Sequence, residues 1–125
     1  MTAAEATVKE GGVIVMFAEA ADGHGGASFH RTFRDEPDLD RMMRTFLARR
    51  PEETIIDQWE AQILARVLLK ARVIFVSSCD EQIVRDMHMI PAHSAAEAME
   101  KAKELVGRPD YTVTVVPDGV SVIVS

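Results

Sequence analysis

Apolar residues in this chain form two unbroken runs, which are separated by longer segments with helical spacing. The runs lie at residues 13–18 and 73–76, and such runs predict strands buried on both faces of a parallel sheet. Between them, apolar residues recur every three or four positions over residues 39–47 and 56–68, which is typical of amphipathic helices. A strand, a helix and a strand in this order require a crossover between parallel strands. We therefore predict a three-layer α/β domain with a mostly parallel sheet.

Capping residues and turn formers predict the remaining elements. Two segments, Thr2 to Glu5 and Ser94 to Glu97, have the spacing of a capping box. They predict helices at residues 3–9 and 94–106, each ended by a glycine. Helices at residues 27–33 and 80–87 and a brief strand at 87–90 complete the prediction. The turn Asp118-Gly119, between residues 112–116 and 120–124, predicts a C-terminal β-hairpin.

The first apolar run ends in a glycine-rich turn, Asp22-Gly23-His24-Gly25-Gly26. In parallel sheets, ligands bind beyond the carboxyl ends of the strands, and glycines let backbone N–H groups approach a polar or anionic ligand closely. At this position His24 could meet a substrate or cofactor, or it could bond only to neighbouring backbone. The turn therefore predicts either one side of a ligand cleft or a tight strand-to-helix connection.

Length, charge and cysteine content limit the classes of protein. A chain of 125 residues fits one domain. The net charge of −6 argues against nucleic-acid binding as the main task, because such modules need a clustered basic face. The sequence shows neither a secretory leader nor an apolar span long enough for a bilayer, so we expect no membrane partner. A single cysteine excludes an internal disulfide and predicts a cytoplasmic location.

Metal-binding and nucleophilic residues give weak signals. The chain has four histidines, His24, His30, His88 and His93. They have neither the helical pairing nor the cysteine spacing of a metal site, so we predict no metal site built by this chain alone. Cys79 follows the second strand and precedes a helix, but with no base identifiable nearby we interpret it as a half-buried filler. Asp86 and Pro91 lie in a block interpreted as a structural turn set by the proline.

Trp59 is the only tryptophan and lies beside Gln58 on the helix predicted at 56–68. A lone tryptophan on an amphipathic helix usually belongs to the core. Asp57 is a candidate N-cap for this helix. If Trp59 and the turn at 22–26 instead face one ligand, the first strand's carboxyl end and the start of this helix must converge, with the indole partly exposed.

Four segments, in this order and with this spacing, resemble the C-terminal domain of the nickel-dependent lactate racemase family. They are residues 13–26, 57–66, 84–91 and 117–124. The resemblance covers nearly the whole chain. It implies that residues 1–125 form a single α/β domain, like the C-terminal domain of a two-domain racemase.

The resemblance also implies a chemistry. Family members interconvert the enantiomers of lactate or related 2-hydroxy acids, using a nickel pincer nucleotide that accepts a hydride from the α-carbon and returns it to the other face. The catalytic bases and the cofactor ligands lie in the N-terminal half, so this chain would be an inactive fragment with no catalytic residue. Its partners would be that N-terminal domain and a small 2-hydroxy acid. Gln58 and Trp59, with the turn at 22–26, would form part of the substrate and cofactor cleft.

A second hypothesis is a stand-alone α/β module that holds a small anion with the turn at 22–26. The coding sequence upstream of Met1 would discriminate between the two. The racemase hypothesis requires a further ~300 residues there, a size consistent with a second and larger domain.

Overall fold

The computed structural model describes residues 1–20 and 26–119. The described helices are α1 (Thr2–Thr7), α2 (Ala27–Arg34), α3 (Leu39–Ala48), α4 (Gln58–Lys70), α5 (Glu81–Asp86) and α6 (Ala95–Val106). The described strands are β1 (Val13–Phe17), β2 (Arg72–Val76) and β3 (Ile90–Ala92), and a short 3-10 helix covers Pro51–Glu53. None of these helices is long and apolar enough to cross a membrane.

The three described strands form one parallel sheet in the order β1-β2-β3. Ile74 in the central strand lies opposite Val15 on one side and Ile90 on the other. Both connections between neighbouring strands contain helices, as parallel pairing requires. The predicted α/β class and parallel sheet are confirmed.

Helices cover both faces of this sheet because the strand side chains alternate. Ile14 and Val73 belong to a buried cluster that they share with α2, α3, α4 and α5. Ile74 points to the other face, where it packs with Ala98 and Ala102 of α6. These small alanines are almost fully buried, which lets α6 lie close to the sheet. The predicted three-layer arrangement is confirmed for the described residues.

The third strand lies two to three residues later than predicted. The turn before it falls at His88, which has a left-handed backbone with φ of 60°, and the strand begins only at Ile90. Pro91 was expected to set the turn, but it lies within the strand opposite Phe75. β3 is an edge strand of the described sheet, and an edge position tolerates a residue without a backbone N–H.

The two predicted capping boxes have different outcomes. Ser94 is the N-cap of α6, and its side chain accepts a hydrogen bond from the Glu97 N–H at 3.2 Å. Glu97 accepts from the His93 N–H at 2.8 Å rather than from Ser94, so the box closes one residue earlier. At the other end of α6, Gly107 adopts a left-handed conformation with φ of 66°, as expected for a glycine stop.

The box predicted at Thr2 is wrong. Met1 is the N-cap of α1 and no side chain caps the helix, which ends at Thr7. The Glu5 carboxylate instead accepts two hydrogen bonds from the Arg66 guanidinium of α4, both at 2.7 Å. This bidentate pair lowers the pKa of Glu5, and a charge-assisted pair of this kind is stronger than a neutral cap. The pair fixes α1 to α4.

The predicted C-terminal β-hairpin has no described strand. Residues 112–116 carry no strand, and Val113 and Val115 are exposed. A strand needs a neighbour to pair with, and the described residues give this arm none. The second arm, residues 120–124, lies outside the described residues, so the complete hairpin stays a prediction.

Candidate functional site

The carboxyl end of β1 and the start of α4 lie on the same side of the domain. Met16, the penultimate residue of β1, and Trp59, in the first turn of α4, line one pocket. Gly26, the N-cap of α2, lies close to the same helix start, because a Cβ atom placed there would be 4.0 Å from Asp57 Oδ2. The convergence expected from the sequence is thus present among the described residues.

The pocket is a cleft of about 360 Å³ between the sheet and three helices. Phe75 of β2 forms part of its floor, Phe29 of α2 and Ile63 of α4 form walls, and Ile83 of α5 closes the far side. Its lining is almost entirely apolar. We call it the apolar pocket, and Glu60 is the one charged residue among the described residues that line it.

Trp59 lies at the edge of the apolar pocket with 63% of its surface exposed. A tryptophan that belonged to the core would be largely buried. The indole is therefore available to a ligand or to another part of a longer polypeptide, as the cleft hypothesis requires. The sequence alone could not decide this, because Trp59 has the helical spacing of a core residue.

Asp57 precedes Trp59 in a backbone conformation that is rare for residues other than glycine. Its φ is 64°, and although it occupies the N-cap position of α4, its side chain makes no capping hydrogen bond. A left-handed conformation costs an ordinary residue roughly 1–2 kcal/mol. Asp57 thus occupies the predicted N-cap position, but the predicted capping hydrogen bond of its side chain is absent.

Gln58, which the sequence assigned to the cleft, is buried in the structure and does not line the apolar pocket. Only 6% of its surface is exposed. Its Oε1 accepts a hydrogen bond from Arg49 Nη1 at 2.9 Å, and its Nε2 donates to the Phe46 carbonyl at 3.4 Å. Adjacent residues on a helix point about 100° apart. Trp59 can therefore face the solvent while Gln58, the residue before it, faces the protein interior. Gln58 joins α4 to α3.

Replacing Gln58 with alanine will lower the free energy of unfolding by about 1–3 kcal/mol, because the two hydrogen bonds of its buried side chain, with Arg49 and with the Phe46 carbonyl, are lost together. Gln62, half-buried on the same helix, is the matched control, and Gln62→Ala should change stability by less than about 0.5 kcal/mol. Urea unfolding followed by circular dichroism measures both. Equal stability of the two variants would contradict the structural role of Gln58.

A hydrogen bond of His30 joins α2 to α5, the two helices that contribute Phe29 and Ile83 to the apolar pocket. His30 Nε2 lies 2.9 Å from Asp86 Oδ2, and Gln82 donates to Asp86 Oδ1 at 2.8 Å. The Gln82 bond and, less strongly, the His30 bond lower the pKa of Asp86. The stability from this carboxylate is therefore complete above the pKa of an unfolded aspartate and is lost as the pH falls through the lower folded value. The sequence predicted a turn set by Pro91 here, but Asp86 instead ends α5 and joins it to α2.

His88 is also structural. Its Nε2 lies 2.9 Å from the Phe33 carbonyl oxygen, and its ring meets the Phe33 ring edge-on, with centroids 6.0 Å apart.

Across residues 1–20 and 26–119, no three His, Cys, Asp or Glu side chains are grouped to hold a metal ion. Cys79 is half-buried and lines the apolar pocket.

Four of the predicted cleft residues lie outside the described residues. They are Asp22, Gly23, His24 and Gly25. Gly26 is described, and its position beside Asp57 brings the end of this turn to the start of α4. The part of the turn that carries His24 stays a prediction.

The sequence alone does not reveal the pocket. Its lining comes from β1, β2, α2, α4 and α5 and from residues next to these and neighbouring elements, and no local motif connects these segments. The signal that was available is the strand alternation: Met16 and Phe75 are direct ladder partners and so point to the same face. That face is the one that meets α4.

Comparison with known proteins agrees with this architecture. A family model described as the lactate racemase C-terminal domain matches residues 1–124. The lactate racemases of Thermoanaerobacterium thermosaccharolyticum and Lactiplantibacillus plantarum are 50% and 48% identical to the chain over 125 residues, which is 99% of this chain and 29% of each relative.

A solved structure, the lactate racemase apoprotein from T. thermosaccharolyticum, superimposes on the whole chain with a TM-score of 0.95 and 49% sequence identity. The chain covers 30% of that structure and spans less than a third of the length of the relatives that it matches. With a family model matched from residue 1 to residue 124, the chain belongs to the lactate racemase C-terminal domain family.

Proposed function

We propose that this domain works as the C-terminal part of an enzyme that interconverts the enantiomers of lactate or a related 2-hydroxy acid. The observation that carries the proposal is the exposed indole of Trp59 at the convergence of β1, Gly26 and α4. In this role Trp59 forms a wall against the small substrate, which lies between this domain and an N-terminal domain of the same polypeptide. The relatives are named lactate racemase, which supports this substrate class.

A flat indole suits the role of a wall. It offers a large rigid face that excludes water and makes apolar contact with the methyl group of a substrate such as lactate, while its N–H can still donate a hydrogen bond. The turn at 22–26 would contribute backbone N–H groups next to this wall. Excluding water from the reacting carbon favours a transfer that water would otherwise intercept.

We assign the nickel pincer nucleotide to the N-terminal part rather than to this domain. The described residues include no group of three potential metal ligands, and none of those that line the apolar pocket has a cationic side chain to neutralise a phosphate. When bound, the cofactor would supply the acceptor for the hydride that leaves the α-carbon. This chain would supply the wall.

We propose a cytoplasmic location for the enzyme, because a chain whose only cysteine is Cys79 has no internal disulfide and suits a reducing compartment.

In the full-length enzyme, Trp59→Ala will lower kcat/KM for lactate interconversion by up to about 100-fold, because a substrate that loses its wall reacts from a less favourable orientation. Stability should change by less than about 0.5 kcal/mol, as for other surface substitutions. Chiral chromatography of the lactate enantiomers and thermal unfolding measure the two effects.

Leu69→Ala is the matched control. Leu69 lies near the other end of α4, is 42% exposed and does not line the apolar pocket, so this variant should keep full activity. Unchanged activity of Trp59→Ala would refute the role of the wall. A large loss of stability in Trp59→Ala would show instead that the indole packs against the rest of the protein.

A further inference from the structure

Sulfur-containing side chains are concentrated at the apolar pocket. Five of its lining residues are Met1, Met16, Cys79, Met87 and Met89, and the whole chain has only seven methionines and one cysteine. Methionine is unbranched and polarisable, so it adapts its shape to an apolar partner, and it is over-used at protein-binding surfaces for that reason. The lining therefore has the character of a docking surface.

The small substrate is a poor occupant for this pocket. A 2-hydroxy acid carries a carboxylate, and burying it without a cation or several hydrogen-bond donors is costly. Among the described residues, the charged side chain at the pocket is Glu60, which would repel the anion. An apolar occupant fits the lining better, and the substrate belongs at the exposed edge formed by Trp59.

The rest of the polypeptide is the best source of that occupant. The matched relatives are more than three times as long as this chain, and Met1 itself lines the pocket. Residues that precede Met1 in a longer polypeptide would thus enter this domain at the edge of the pocket. An apolar cleft of about 360 Å³ that is open to solvent also has the shape and lining of a site that takes an apolar occupant.

We propose that the apolar pocket is a docking site for apolar side chains from the part of the same polypeptide outside residues 1–125. This inference rests on the proposed function, because it requires the N-terminal part. Docking at Met16 and Phe75 fixes the floor of the pocket, and docking at Ile63 fixes α4 only one turn from Trp59. The contact would therefore position the wall of the substrate cleft relative to the cofactor-bearing domain.

The test uses photo-methionine incorporated into the full-length enzyme, which leaves the shape of the lining nearly unchanged. After irradiation, mass spectrometry maps the cross-links of each methionine. Met16, the half-buried methionine of β1, should cross-link to apolar peptides outside residues 1–125, whereas Met87 and Met89 are buried and should cross-link mainly within the domain. Met42 is the matched control: it is only 3% exposed in the same cluster but does not line the pocket, so its cross-links should stay within the domain.

Three outcomes would overturn the proposal. They are cross-links of the pocket methionines only within residues 1–125, cross-links to a second copy in a sample mixed from isotope-labelled and unlabelled protein, and no protein cross-links at all. Racemase activity measured on the same sample separates this inference from the proposed function. An active enzyme without the expected cross-links refutes the docking alone, whereas an inactive unmodified enzyme refutes the function.

Discussion

Phe33→Ala will lower the free energy of unfolding by about 3–5 kcal/mol, the usual cost of removing a buried aromatic ring. Phe33 has no exposed surface and belongs to the larger buried cluster. Its ring packs against Phe29 with centroids 5.3 Å apart and against His88. A chain of this length is expected to have about 6–19 kcal/mol of stability in total, so this one substitution removes a large share. Urea unfolding followed by circular dichroism gives the value.

Phe17→Ala is the control for this prediction. It removes the same ring from the last residue of β1, and Phe17 is already 60% exposed. Its cost should be well below that of Phe33→Ala, because little apolar surface returns to water. A loss below about 1 kcal/mol for Phe33→Ala would mean that the site collapses around the cavity, contrary to a tightly packed core.

The elements that the sequence predicted best are those with a strong period or a side-chain cap. α3 and α4 begin and end within two residues of the stripes at 39–47 and 56–68. Ser94 and Gly107 mark both ends of α6. In each case the signal is local, because a helix satisfies its own backbone and reveals its buried face by spacing alone.

The elements that the sequence predicted poorly depend on partners far along the chain. β3 is a strand because Ile90 and Ala92 pair with Ile74 and Val76. Pro91 lies between them in the strand, although proline locally favours a turn. Glu5 has the spacing of a cap but binds Arg66, a residue 61 positions away. Such long-range contacts override local propensity whenever they contribute more free energy.

The candidate site shows the same division. The convergence of β1 and α4 follows from the topology of parallel sheets, and it could be predicted. The outward direction of Trp59 and the inward direction of Gln58 could not, because a rotation of about 100° about the α4 axis would exchange them and helical spacing alone does not fix that rotation. The hydrogen bonds of Gln58 to Arg49 and Phe46 fix that rotation.

The 125-residue chain alone will not interconvert L- and D-lactate, even when nickel and the pincer nucleotide are added. Among the described residues, no three potential ligands are grouped to hold a metal, and Trp59 forms only one wall of the proposed cleft. Hydride transfer needs the donor carbon and the acceptor held in contact range with the correct orientation, which one exposed wall cannot provide. Chiral chromatography after incubation with either enantiomer measures conversion, and the full-length enzyme is the positive control.

The absence of activity is informative only if the chain is folded. The two apolar clusters already bury both faces of the described sheet, so we expect one cooperative thermal transition for the isolated chain. A folded chain without turnover then supports a division of labour in which the N-terminal part supplies the reacting groups. Turnover by the isolated chain that persists after further purification would instead place a complete catalytic site within residues 1–125, and Trp59 would then be a substrate contact in a site that needs no second domain.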